Sequence, residues 1–120
     1  MITKSISFTT ATDGTATASG QSVPGGAYLE AIEYLPGTTD TGATVTISDV
    51  YGGVTYTLWS LATAGTSDLR RYPRQLEVLN TSGANLTTHT RMIVMGVPKV
   101  VVSAGGAVKT GSVKLHLRQV

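Results

Sequence analysis

From Ser112 to Val120 the chain alternates with a period of two: Val113, Leu115 and Leu117 are apolar, and Lys114, His116 and Arg118 stand between them. A β-strand sends such residues to opposite faces, one toward a core and one toward water. The same signature recurs in short runs cut by turn residues. Ile2, Ile6 and Phe8 share a parity, with Lys4 between them and Thr3, Ser5 and Ser7 opposite; Asp13-Gly14 then marks a turn. Thr15 to Ser19 is a weak strand of small residues. Ala27 to Leu35 lies between Gly25-Gly26 and Pro36-Gly37, and although its Leu29/Ile32 spacing also fits a short helix, it reads as a strand with Tyr28, Ile32 and Tyr34 on one side. Val45-Thr46-Ile47-Ser48 and Thr55 to Leu61 are expected to pair. The glycines of Val50-Tyr51-Gly52-Gly53-Val54 permit the positive φ that a tight hairpin requires.

The pattern loosens from Ala62 to Asn85, which reads as a long loop. Within it Ala64-Gly65-Thr66-Ser67 is a turn, Gln75 to Leu79 alternates briefly, and Ser82-Gly83-Ala84-Asn85 is a second turn. Arg91 to Met95, Lys99 to Ser103 and Ser112 to Val120 follow as strands. The last two are expected to form a closing antiparallel hairpin through the glycine-rich connection Ala104 to Gly111. About eight strands, few helices, no repeat and no linker predict an all-β fold. The expectation is a single domain over residues 1–120, an antiparallel β-sandwich of jelly-roll-like form.

Composition narrows the function classes. A chain of 120 residues can bury one core, and only 13% of it is charged, about half the usual share, with 14 glycines and abundant threonine and serine in place of charge. A formal charge of +2 is too small and too scattered for a nucleic-acid footprint. The absence of cysteine excludes disulfides and thiolate metal sites. No continuous apolar run follows Lys4, so neither a signal peptide nor a membrane span is expected, and synthesis in a cytoplasm is. The sequons at Asn80 and Asn85 then read as chance matches.

Motif-like fragments do not assemble into a catalytic signature. A phosphate loop needs glycine directly before Lys-Ser/Thr, and a helix after it; here Val108 precedes Lys109 and a strand follows. Lys109-Thr110-Gly111 matches the Lys-Thr-Gly of β-lactamase-like enzymes, which also need a serine three residues before a lysine. At that spacing from the four lysines stand Met1, Gly96, Gly106 and Gly111. His89 and His116 have no carboxylate or ligand-spaced partner nearby in sequence, so no metal or cofactor is expected. Glu30 and Glu33 differ in parity and should point to opposite faces, which disfavours a carboxylate pair. The one concentration of charge is Arg70, Arg71 and Arg74 with Tyr72, around Pro73. Arginine and tyrosine combine apolar area with directed hydrogen bonds, and this cluster is the candidate interface.

Three stretches, "YLEAIEYLPGTTDTGATVTISDVYGG", "YPRQLEVLN" and "MGVPKVVVSAGGAVKTGSVKLHLRQV", together spanning residues 27 to 120, resemble small virion proteins of tailed bacteriophages that decorate, or cement, the capsid. The Asp40-Thr41-Gly42-Ala43-Thr44-Val45-Thr46-Ile47 strand and the closing glycine connection carry the likeness. It implies a non-enzymatic β-sandwich, made in the host cytoplasm, that oligomerises as a dimer or trimer. Such a protein binds the major capsid protein on the outer surface of the head, with neither nucleic acid nor membrane as a partner. The alternative is a carbohydrate- or receptor-binding module of tail-fibre or adhesin type, with Tyr28, Tyr51, Tyr56, Trp59 and Tyr72 as sugar-stacking candidates.

Overall fold

A computed structural model describes residues 1–78 and 85–120, the side chains of 76–78 and 85–88 apart. Leu79, the turn at 82–84 and the sequon side chains Asn80 and Asn85 lie outside the described residues. The fold is all-β. Among the described residues ten strands follow in order: β1 (Ile2–Thr9), β2 (Ala16–Ser19), β3 (Ala27–Leu35), β4 (Thr44–Tyr51), β5 (Val54–Leu61), β6 (Leu69–Arg71), β7 (Arg74–Val78), β8 (Asn85–Val94), β9 (Val97–Ser103) and β10 (Thr110–Gln119). They form two antiparallel sheets. One has the order β1-β10-β3-β8-β7, with β6 also on β3, and the other has the order β2-β9-β4-β5.

The alternation of β10 performs as its pattern predicts: Val113, Leu115 and Leu117 are fully buried, facing Val45, Ile47, Val100 and Val102 in one core cluster. The β4–β5 hairpin also forms, with Tyr51 opposite Val54 and with Gly52 and Gly53 at φ 59° and 78°, the left-handed pair of a two-residue turn.

Two expectations fail for reasons that local pattern cannot reveal. β9 and β10 are not a hairpin, because β9 lies between β2 and β4 in one sheet while β10 lies between β1 and β3 in the other. Residues 104–109 therefore cross from sheet to sheet. The crossing is tied down by Thr10, a buried residue of the loop after β1, whose hydroxyl donates to Gly106 O (2.6 Å) and accepts from Lys109 N–H (2.7 Å). The stretch expected as a long loop instead contains β6, β7 and the start of β8. Arg70 and Arg74 lie on strands there, because a strand that faces water on one side accepts charge on that side.

At the opposite end of the sandwich, Met95-Gly96 carries the chain from β8 to β9. Asp49 of β4, only 3% exposed, accepts Met95 N–H on Oδ2 (2.8 Å) and Gly96 N–H on Oδ1 (2.9 Å). Both carboxylate oxygens are thereby satisfied in a buried place, where an unmatched charge would be costly.

Candidate functional site

The outer face of the β1-β10-β3 sheet is organised by an irregularity in β3. Leu29 pairs with Leu117 and Ala31 with His116, so Glu30 is an extra residue in the ladder. A bulge of this kind puts two successive residues on one side and reverses the parity beyond it. Glu30 and Glu33 consequently share the outer face, contrary to the sequence expectation, and Tyr28 and Tyr34 are separated. Tyr34 turns into the core, 1% exposed, and its hydroxyl bonds the Thr39 hydroxyl (2.9 Å).

The two glutamates collect the surrounding cations. Arg70 Nη2 donates to Glu33 Oε1 (3.1 Å), and His116 Nε2 donates to the same oxygen (2.5 Å). Arg91 Nε lies 2.9 Å and Arg118 Nε 3.5 Å from Glu30 Oε1, but neither is in hydrogen-bond geometry, so that buried oxygen is held by charge alone. Arg91 also sits over the Tyr28 ring, 5.9 Å from its centroid. With Arg74 and Lys114, the described residues of this face include five cationic side chains against two carboxylates, an excess of three.

The candidate interface residues divide by role. β8 pairs with β3 over Ala27–Leu29 and β6 over Ile32–Tyr34, leaving a gap on that edge of β3 at Glu30 and Ala31. The Arg74 guanidinium enters there: its Nη1 donates to Pro73 O (2.7 Å) and makes longer contacts with Glu30 O (3.3 Å) and Leu29 O (3.5 Å). Arg74 is thus a structural plug. Arg70 is paired but exposed, Arg71 donates to Arg70 O (2.9 Å) and is exposed, and Tyr72 is 61% exposed. Arg70, Tyr72 and Arg74 line a shallow depression of about 430 Å³ with Met1, Glu30 and His116. Arg71 is not in its wall.

Sequence reasoning missed His116 and Glu33, because 83 residues separate partners that only the β3–β10 register brings together. On the far side of the ring, the Thr3 hydroxyl is 3.2 Å from Nδ1. The order hydroxyl, imidazole, carboxylate is that of an activated nucleophile. Thr3, however, is exposed on the open sheet and lies outside the depression that His116 lines; it borders a separate polar depression of about 430 Å³ with Lys4, Ser5, Ser19, Gly20 and Gln21.

The hydrogen bond from His116, aided by the Arg70 guanidinium, holds the Glu33 carboxyl below the usual carboxylate range, against a smaller opposing effect of desolvation. A carboxyl depressed on folding contributes stability that is fully present above its unfolded value of about 4.3 and is lost as pH falls through the lower folded value. Thermal melts taken down through that window should therefore show a steeper acid-side loss for wild type than for Glu33→Gln. Parallel acid limbs would refute the linkage.

No family model, curated protein or solved structure matches this chain.

Proposed function

We propose that this chain is a structural virion protein that cements the outside of a bacteriophage head, using the cationic face of the β1-β10-β3 sheet to bind the major capsid protein. The observation that carries the proposal is the exposed corner Arg70-Arg71-Tyr72, at the end of strand β6 beside an ion-pair network with surplus positive charge. Guanidinium groups fixed on a sheet suit carboxylates on a facing protein surface, and the planar fork gives direction as well as charge. Repetition over a symmetric shell turns modest single contacts into strong retention. Bridging adjacent capsid subunits would oppose the outward strain of packaged DNA.

A jelly-roll winding is part of the same proposal. β1 pairs with β10, β2 with β9, β3 with β8 and β4 with β5, the pattern of a chain folded double; β10 on β3 and β9 on β4 then wind that double strand into two sheets.

The test is co-sedimentation of the protein with intact heads over a salt series. Arg70→Ala/Arg71→Ala is expected to weaken attachment and flatten its salt dependence while leaving Tm within a few degrees, because rim charges act on association more than on folding. Arg74 is kept in this variant for its structural role. Undiminished attachment would remove this corner as the contact.

The carbohydrate reading has one specific observation in its favour. Tyr51 and Tyr56, 43% and 55% exposed, line a single groove, whereas Trp59 packs against the core and Tyr28 and Tyr72 lie elsewhere. Binding on a glycan array, abolished by Tyr51→Ala, would favour it.

A further inference from the structure

That groove is the open end of the sandwich. Its volume is about 620 Å³, and Tyr51, Tyr56 and Leu58 of the β4–β5 hairpin face Met92, Ile93 and Met95 across it. Asp49 and Tyr56 are register partners, and Asp49 reaches inward to the β8–β9 corner, so Tyr56 belongs to the inner face of its sheet. Yet Tyr56 is 55% exposed, with Val54 48% and Met95 54% exposed beside it, while Ile93, the register partner of the outward Tyr28, is 45% exposed at the rim. Inner-face side chains are uncovered here.

The strand bounding this groove, β5, is the edge of its sheet. Half of an edge strand's N–H and C=O groups point outward, a template for pairing that folded proteins ordinarily blunt with charge, proline or shortness. The other edges are blunted in those ways. β1 carries the inward-parity Lys4, β2 has four residues, and β7 has five with Arg74 and Glu77. β5 has eight residues with neither charge nor proline, and no charged residue occurs from Val50 to Ser67. Its one irregularity, a bulge at Leu58, bends the second half and leaves Val54 to Thr57 regular.

We infer that β5 is a self-association edge, pairing antiparallel with β5 of a second copy about a two-fold axis perpendicular to the sheet. Such an axis places both inner faces on the same side, so the two open grooves meet as one enclosed core, and the contact is self-complementary and closed. An uncharged strand meets its own copy without repulsion. Roughly half of each of four large side chains, Tyr51, Val54, Tyr56 and Met95, on the order of 350 Å² per copy, would be covered before the backbone ladder is counted. Doubled over the pair and joined by the backbone ladder, that approaches the ~1,000 Å² expected of a specific interface. The pairing is a property of the isolated protein and holds or fails independently of capsid attachment.

Sedimentation velocity on the full chain should find a discrete dimer. Tyr56→Glu and Tyr56→Lys each set like charges side by side at the axis and should weaken dimerisation by at least ~30-fold. Mixing the two variants should restore it, since opposite charges then adjoin. Amide exchange from Val54 to Leu58 should slow as wild-type concentration rises, a readout that needs no variant. A wild type that stays monomeric at its highest soluble concentration, an open-ended series of oligomers, or a dimer indifferent to both charges would overturn the inference. So would variants that fail to recombine.

Discussion

Replacing Leu115 by alanine is expected to destabilise the protein by about 2–5 kcal/mol and to lower Tm by ~10 °C or more. Leu115 is fully buried at the middle of β10, with Ile32 of β3 beside it on one side and Lys4 of β1 on the other. Truncation removes buried methyl groups and leaves a cavity, and a strand hydrogen-bonded on both edges cannot easily shift to fill it. Lys109→Ala is the control. Its side chain lies on the crossing segment, whose hydrogen bonds to Thr10 use backbone groups of Gly106 and Lys109, so the loss should stay within about 0.5 kcal/mol. Indistinguishable melting curves would mean that the inward face of β10 has been misassigned.

Gly96→Ala should be at least as damaging, with a loss above ~3 kcal/mol. A Cβ at this position would be driven onto Val50 O, with Val50 C only 2.8 Å and Tyr51 Cα 3.0 Å away. All three atoms are backbone, so no rotamer change can relieve the overlap. The chain must move, and movement pulls Met95 and Gly96 off the Asp49 carboxylate, leaving buried charge without its donors. Urea unfolding should show a lowered midpoint. A variant with wild-type stability would show that the β8–β9 corner is more pliant than its contacts imply.

How far the amino-acid order announces this structure depends on the distance over which each feature is decided. The inward face of β10 and the glycine hairpin at Gly52-Gly53 are settled by residues two to four apart, and both were legible. The partners of β9 and β10 were not, because adjacent strands with a glycine-rich link look alike whether they pair or cross between sheets. The bulge at Glu30 was equally hidden: one extra residue reversed the facing of Glu33 and Tyr34 without altering composition. Arg70, Arg71, Tyr72 and Arg74 were visible as a cluster, but their division into an exposed corner and a structural plug depends on carbonyls of β3 some forty residues away.

The placement of β10 between β1 and β3 has a consequence for biosynthesis. β1 is made long before the residues near Gln119, yet β1 and β10 are immediate neighbours in the same sheet. While the intervening chain is being made, β1 and β3 each wait for the strand that must lie between them, their apolar faces partly uncovered. Loop-closure entropy is then offset only after Gln119 has been synthesised, so the sheet closes late and slowly for its size, as expected for strands paired across most of its length. Nascent copies accumulating together would be most vulnerable to mispairing in that interval.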